Sequence, residues 1–151
     1  MTDFTSNRTH RQEVWRIPAD GSALEVQVTQ NGGWRSRESF DGKTLYFQKL
    51  DSPGLFRMPV GGGAEERVAN VPLLQDWQLV PGAIYHMQPS GEDFTIVRVD
   101  LNTGLTTEAL KLPAGTQGGS AKFTISPDVR WLVFVHVDQA VSELMMIENF
   151  R

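Results

Sequence analysis

The sequence predicts an all-β fold made of about three four-stranded antiparallel propeller blades. Two observations lead to this prediction. One pattern of short apolar strands and turns recurs at a spacing of about 40 residues, and no segment shows the apolar periodicity of a helix. Four short strands in a repeat of this length are the composition of a propeller blade.

The most regular element of the repeat is an apolar strand with a central arginine. It reads VWRIP at 14–18, LFRMP at 55–59 and IVRVD at 96–100, with an echo LMMI at 144–147. The arginines therefore recur in register. We interpret them as structural residues whose stems lie along a blade face.

A turn followed by an apolar strand recurs between these elements. It reads DGKTLYF at 41–47, PGAIYH at 81–86 and SPDVRWLVF at 126–134. Gly42 and Gly82 supply the positive φ that a tight connection needs. Val129 stands at the corresponding place, so we expect the third turn to have a different form.

A Gly-rich turn and a short polar strand follow each arginine strand, which completes the repeat. In the best-defined copy, strands are expected near residues 35–40, 43–49, 54–59 and 65–69. With strands labelled a to d from the pore outward, the chain reads c and d, then two full sets, then a, b and c. Residues 1–12 are polar and are expected to form a flexible lead-in to a partial propeller at 13–151.

The segments ESFDGKTLYF (38–47), LFRMPVGG (55–62) and SPD (126–128) resemble TolB-like β-propeller repeats, a WD-repeat-like class. The signature of that class is a Ser-Pro-Asp-Gly turn before an apolar strand and a Leu-Trp-Arg strand after it. The likeness covers roughly residues 13–150 and departs from the signature at Phe40, Pro81 and Val129. The ending, 143–151, resembles the last strand of bacterial propellers that follow a signalling or winged-helix domain. The resemblance implies the C-terminal portion of a bacterial propeller protein.

Composition narrows the range of partners and compartments. The chain has 151 residues, 40% of them hydrophobic, and no apolar run of the length that a membrane span requires. Its net charge is −4 and its basic residues are scattered, so we expect neither nucleic acid nor membrane as a partner. There is no cysteine, which excludes disulfides, and no signal peptide is visible, so a soluble cytoplasmic protein is predicted.

A stack of three blades is open at both sides and exposes apolar faces and strand edges. Closed propellers have about 4 to 8 blades, so two chains of about three blades would complete a ring of six. The sequence therefore predicts a homodimer. Its composite blade would take strands a and b from one C-terminus and strand d from the other N-terminus, with strand c supplied twice.

Three residues are candidates for catalysis. His86 is one, although Phe47 and Phe134 hold the same place in other repeats, which favours a buried structural histidine. His136 and Asp138 lie two apart at the end of an apolar strand and point to one side, a spacing that would hold a metal or orient an imidazole. The alternative is a strand end that surfaces into solvent.

Two further groups are candidates for binding. Carboxylates near loops could converge on a pore and bind Ca²⁺, which takes about six to eight oxygen ligands; these are Glu38, Asp51, Asp76 and Asp93. The alternative for Glu38 is a turn-stabilising carboxylate. Trp34, Arg35 and Arg37 begin an innermost strand and could bind an anionic ligand at the pore mouth, although blade packing is the alternative.

Two functions follow from these candidates. The first is a binding or assembly module for a peptide, a protein or a small molecule. The second is a promiscuous hydrolase of esters, lactones or phosphotriesters with Ca²⁺ in the pore, as in six-bladed propeller lactonases and phosphotriesterases. No Gly-x-Ser-x-Gly motif occurs, so a serine hydrolase of that class is not expected.

Overall fold

The computed structural model describes residues 2–74, 76–91, 93–114, 116 and 123–136, and these residues form β-strands without a helix. Accordingly, the described residues contain no helix with the length and apolarity to cross a membrane. The strands are β1 (Thr2–Ser6), β2 (Glu13–Ile17), β3 (Val26–Gln27), β4 (Trp34–Glu38), β5 (Thr44–Gln48), β6 (Leu55–Pro59), β7 (Glu66–Ala69), β8 (Trp77–Val80), β9 (Ala83–Ser90), β10 (Asp93–Asp100), β11 (Thr106–Lys111), β12 (Phe123–Ile125) and β13 (Leu132–Phe134).

The strands form four antiparallel sheets in chain order. Blade 1 contains β1-β2-β3, blade 2 contains β4-β5-β6-β7, blade 3 contains β8-β9-β10-β11, and β12-β13 form a C-terminal hairpin. Two of these sheets are complete four-stranded blades. The all-β architecture of partial propeller blades is thereby confirmed, and the four strands expected in the best-defined repeat correspond to β4 to β7.

Strand register confirms that the sequence repeat is also a structural repeat. Tyr46 pairs with Arg57 in blade 2, as Tyr85 pairs with Arg98 in blade 3. One residue further along β5 and β9, Phe47 and His86 therefore occupy equivalent places. The same residue type is thus not required at this place, since a phenyl ring and an imidazole both fit there.

Residues 2–6 form strand β1, so the expectation of a flexible lead-in at 1–12 is wrong for this segment. β1 pairs along its length with β2, with Phe4 opposite Trp15. The Arg8 guanidinium lies 5.5 Å from the Phe4 ring and 4.4 Å from the Trp15 ring. β1 holds only one large apolar residue, which is why its sequence pattern does not indicate a strand.

The turn at Val129 has the same form as the turn at Gly42, contrary to the expectation. Val129 has a φ of 58°, close to the 68° of Gly42. In both turns a serine hydroxyl donates a hydrogen bond to the aspartate two residues later and accepts one from the backbone N–H five residues later, Thr44 or Trp131. These pairs are Ser39–Asp41, at 2.6 Å, and Ser126–Asp128, at 2.5 Å. The side-chain bonds hold the turn even where a β-branched residue takes the positive φ.

Apolar side chains pack between each pair of neighbouring sheets. Alternation along β5 sends Leu45 and Phe47 towards blade 1 and Tyr46 towards blade 3. The interface of blades 1 and 2 contains Val14, Leu45, Phe47, Phe56 and Met58. The interface of blades 2 and 3 contains Tyr46, Leu55, Ala69, Val71, Leu74, Trp77, Ile84, Val99 and Leu101. Blade 3 and the hairpin share Val80, Ala83, Tyr85, Ile96, Leu112 and Phe123.

Arg16 ties blade 1 to blade 2. Its side chain is only 8% exposed, and its guanidinium donates two hydrogen bonds to Asp3, at 2.7 and 2.9 Å. It also donates to the Val60 carbonyl, at 2.6 Å, and to Glu38. The hydrogen bond to Asp3 is the main cause that raises the pKa of Arg16 above its ordinary value. The predicted structural role is thus observed for Arg16.

The two equivalent arginines have different surroundings. Arg57 pairs with Glu66 and Arg98 pairs with Asp100, each within its own blade, and both arginine side chains are 36% exposed. Of the three arginines, Arg16 is therefore the one that links two blades.

Substitution of methionine for Arg16 should destabilise the fold far more than the same change at Arg57. Arg16→Met leaves the nearly buried Asp3 carboxylate without its cation, and we expect a loss of about 3 kcal/mol or more in the free energy of unfolding. Arg57→Met removes an exposed pair and should cost less than about 1 kcal/mol. Urea denaturation followed by tryptophan fluorescence measures both. Equal losses would contradict the role assigned to Arg16.

Candidate functional site

A cavity of about 300 Å³ lies between the C-terminal half of β9 and the segment that joins β7 of blade 2 to β8 of blade 3, which we call the link. We call this cavity the interblade cavity. Most of its lining is apolar, and three polar side chains reach it, which is the usual composition of a binding pocket. The lining residues are Pro72, Leu73, Leu74, Asp76, His86, Met87, Gln88, Pro89 and Phe94.

Gln48 fixes the wall of the cavity that the link supplies. Its fully buried side-chain amide donates to the Pro72 carbonyl and accepts from the Leu74 N–H, both at 3.0 Å. The link is thereby held against blade 2, with Asp76 at its end. The sequence analysis did not single out Gln48. The available signal was a polar residue at the end of an apolar strand, at the place that Met87 takes in blade 3.

β9 supplies the opposite wall. β8 pairs only with its first half, Ala83–His86, whereas β10 pairs with β9 as far as Ser90. Residues 87–90 therefore extend beyond β8, and within the described residues no strand pairs with their inner edge. This extension lies beside Asp76, because Asp76 precedes Trp77 and Trp77 pairs with His86.

His86 lines this cavity and carries an unpartnered nitrogen that is itself buried. The residue is 1% exposed, and its Nδ1 has no hydrogen-bond partner within the described part of the chain. Burial lowers the pKa of His86 below its ordinary value of 6.5, and a backbone hydrogen bond at Met87 opposes this effect only in part. The imidazole is therefore mainly neutral near pH 7 and has one nitrogen that accepts and one that donates.

Asp76 presents a second unpartnered atom. Its Oδ2 is buried and accepts no hydrogen bond from any residue that the structure describes. A buried acceptor of this kind costs about 1 to 3 kcal/mol, and more where it is charged. A ligand that donates to Asp76 would remove this cost.

The structure brings together two residues that the sequence analysis assigned to different sites, His86 and Asp76. It separates the other proposed metal ligands. Glu38 lies next to the turn that ends β4 and binds Arg16, whereas Asp76 stands before the start of the equivalent strand β8. Asp51 and Asp93 are exposed and do not line the cavity.

No metal-binding group is formed by these carboxylates in the described residues. There, no three His, Cys, Asp or Glu side chains are grouped closely enough to share an ion. Glu38 is the last residue of the innermost strand β4 and Asp76 precedes the equivalent strand β8, so these two carboxylates lie at opposite ends of neighbouring blades within the chain. The binding of Ca²⁺ by the four carboxylates stays a prediction.

The basic and aromatic residues of β4 pack against tryptophans. A β-bulge separates the paired residues Trp34 and Arg37, and Arg35, inside the bulge, has a φ of 49°. The guanidinium of Arg35 lies 4.4 Å from the Trp34 ring, and that of Arg37 lies 5.8 Å from the Trp77 ring. These contacts agree with the blade-packing alternative. Ligand binding by Trp34, Arg35 and Arg37 stays a prediction.

His136 is exposed and forms an isolated β-bridge with Thr116. It does not line the interblade cavity. Asp138 lies outside the described residues, so the pairing of His136 with Asp138 also stays a prediction.

Comparison with known proteins identifies the fold. No protein-family model matches the chain, and no curated protein matches it. Among solved structures it is similar to TolB from Acinetobacter baumannii, with 21% sequence identity and a TM-score of 0.61. The match covers 89% of this chain and 34% of TolB, so the chain spans about a third of the length of that protein. The chain thus has a TolB-like β-propeller fold, as its repeats indicated.

Replacement of His86 by phenylalanine, the residue of the equivalent place in blade 2, should change the pH dependence of stability. Because the folded-state pKa of His86 is lowered, the unfolded state binds more protons just below pH 6.5, and stability falls as pH falls through this range. The variant should lose less stability than the parent chain between about pH 7.5 and about pH 5.5. Urea midpoints at both pH values measure this difference.

Thr106→Val, on the exposed outer strand β11, serves as the control for that experiment because it changes no titratable group. We expect it to keep the behaviour of the parent chain. Parallel losses in the parent chain and in His86→Phe would show that His86 does not supply the acid sensitivity.

Proposed function

We propose that this chain is a protein-binding module that holds a segment of another polypeptide in the interblade cavity. The observation that carries the proposal is that two residues lining one mainly apolar cavity, Asp76 and His86, each carry a buried side-chain atom without a hydrogen-bond partner, Oδ2 and Nδ1. Native proteins pair nearly all of their buried polar atoms. Five buried side-chain atoms in the described residues have no partner, and two of the five belong to residues that line this one cavity, where a bound ligand would supply the missing partners.

The size and surroundings of the cavity favour a polypeptide segment over a larger organic ligand. Its volume is at the lower end of the range of about 300 to 1,000 Å³ for small-molecule sites. Pro72 and Pro89 are exposed at its rim, and Phe94 is half-buried. Apolar surface of this kind next to a few polar groups is typical of the centre of a protein interface.

A selection from displayed random peptides, followed by titration of the selected peptides, tests this proposal. Fluorescence anisotropy should show that His86→Phe weakens binding by about tenfold or more, because the phenyl ring cannot form the hydrogen bond of the imidazole. Thr106→Val, on the exposed outer strand β11, is a control that should bind like the parent chain. Equal binding by His86→Phe, or a selection that yields no binding peptide, would contradict the proposal.

The alternative of a Ca²⁺-dependent hydrolase receives no support from the described residues. The described residues hold no group of three metal-binding side chains, and three of the four carboxylates assigned to the ion, Glu38, Asp51 and Asp93, are exposed. The interblade cavity brings together one carboxylate and one imidazole, which suits the binding of a hydrogen-bond donor.

We also propose that two copies of the chain associate through their ends and close a ring. At one end, the hairpin exposes Trp131, Val133 and Val135, with relative exposures of 69, 64 and 45%. These residues alternate along the chain and so share one face. The opposite face, with Leu132 and Phe134, packs against blade 3.

At the other end, blade 1 presents Phe4 and Trp15 beneath Arg8. Inside the chain each blade packs an apolar face against an apolar face, and contact between the two ends would repeat this arrangement. Exposed apolar surface of this extent is a common sign of an interface.

The presence of β1 changes the expected composite blade. β1 stands at the place of strand b in blade 1, so strand b as well as strand c would be supplied twice. Merging the terminal sheets of two chains gives six blades, whereas stacking all four sheets of each chain gives eight. Both totals fall within the range of about 4 to 8 blades.

Light scattering behind a sizing column should give twice the chain mass of 16.9 kDa. Val133→Glu places a charge on the exposed hairpin face and should give the monomer mass, whereas Leu110→Glu, at an exposed apolar residue of β11, should not. Loss of the dimer with EDTA would indicate a metal in the assembly. A monomer at every concentration would contradict ring closure and leave the cavity proposal standing.

A further inference from the structure

The part of β9 that extends past β8 has the properties of an open strand edge. Gln88, Pro89 and Ser90 are exposed, and β10 is the single strand that pairs with residues 87–90 in the described part of the chain. The segment carries no charged side chain. Proteins commonly protect such edges with charges, bulges or proline. Here Pro89 removes one donor, whereas neither a charge nor a bulge blocks the addition of another strand along residues 87–90.

The direction of the backbone groups follows from the pairing. The Phe94 carbonyl accepts a hydrogen bond from the Leu112 N–H at 2.9 Å, so Phe94 points away from β9. Phe94 and Pro89 are therefore a non-hydrogen-bonded pair. By alternation, Met87 directs its N–H and carbonyl, and Pro89 its carbonyl, to the inner edge of β9.

Pro89 agrees with this assignment, because proline has no N–H and fits only where the β10 ladder needs none. The open edge thus offers the Met87 N–H as a donor and the Pro89 carbonyl as an acceptor, because the Met87 carbonyl already accepts from the His86 imidazole. This is enough to align an extended segment, but a side-chain contact has to supply much of the affinity.

Asp76 is placed to make that contact. It lies immediately before the first residue of β8, on the inner side of β9, and Met87 lines the same cavity. Its unpartnered Oδ2 requires a donor, and a cationic donor satisfies a carboxylate best. The net charge of −4 also favours a basic partner.

We propose that the polypeptide bound in the interblade cavity adds as a short strand to the inner edge of β9 and places a lysine or arginine side chain against Asp76. This inference rests on the proposed function and specifies its ligand. The bound strand continues the line of β8, so the four-stranded blade is extended at its inner edge. His86, one place before Met87, supplies a neutral hydrogen-bonding group beside the basic side chain.

The test uses three fluorescein-labelled synthetic peptides and anisotropy titrations. The first is an extended pentapeptide, Ser-Val-Arg-Val-Ser, with blocked ends. The second replaces arginine by citrulline, which keeps the shape and loses the charge. The third keeps arginine and carries N-methyl groups on alternate backbone amides, made in both registers so that the edge facing β9 is blocked in one of them.

We expect the parent chain to bind the arginine peptide about tenfold or more tightly than the citrulline peptide. One N-methylated register should bind about tenfold or more weakly and the other about as well as the unmodified peptide. Asp76→Asn should remove the preference for arginine. Asp93→Asn, which removes an exposed carboxylate outside the cavity lining, should keep it.

Each contrary result has a separate meaning. Binding that depends on Asp76 but is equal for both N-methylated registers would overturn strand addition. Failure of the arginine peptide to bind, or equal binding of the citrulline peptide, would overturn the basic ligand. If selected peptides without a basic residue still bind in a manner that depends on His86, the protein-binding function stands and this inference fails.

Discussion

The packing of apolar faces between neighbouring blades supports everything else in this structure. No strand pairing joins one sheet to the next among the described residues, so side chains and links hold the blades together. Trp77 illustrates the arrangement, because it is buried between blades 2 and 3 and also pairs with His86. The interblade cavity lies where this packing stops, at the N-terminal end of β8. Its geometry is therefore a by-product of how far each strand extends.

The repeat predicted blade 2 well because each of its strands is bounded by turn chemistry that the sequence displays. It also placed Phe47 and His86 at equivalent positions, which the register confirms. β1 was not predicted, since a single phenylalanine in a polar pentapeptide gives no alternation to detect. Its strand form depends on pairing with β2 and on Arg8, and these are tertiary contacts that local propensity does not register.

The candidate site was predicted in its members but not in their grouping. The two-residue turn at Pro81 and Gly82 sets the register that pairs Trp77 with His86, so the nearness of Asp76 was contained in the hairpin pattern. The hairpin pattern did not indicate the buried hydrogen bonds from Gln48 to the link, because these bonds join residues more than twenty positions apart. The separation of Glu38 from Asp76 similarly requires knowledge of strand direction.

The turn at Val129 has an implication for how such repeats diverge. Its serine and aspartate keep the same hydrogen bonds as the glycine-containing turn at Ser39, although the residue at the positive φ has changed. A blade can thus lose its glycine and retain its hairpin. The residue at the positive φ can therefore vary where the serine and the aspartate before it are kept. Either device is sufficient in this chain, since the Pro81–Gly82 turn has the glycine without the serine–aspartate pair and the Val129 turn has the pair without the glycine.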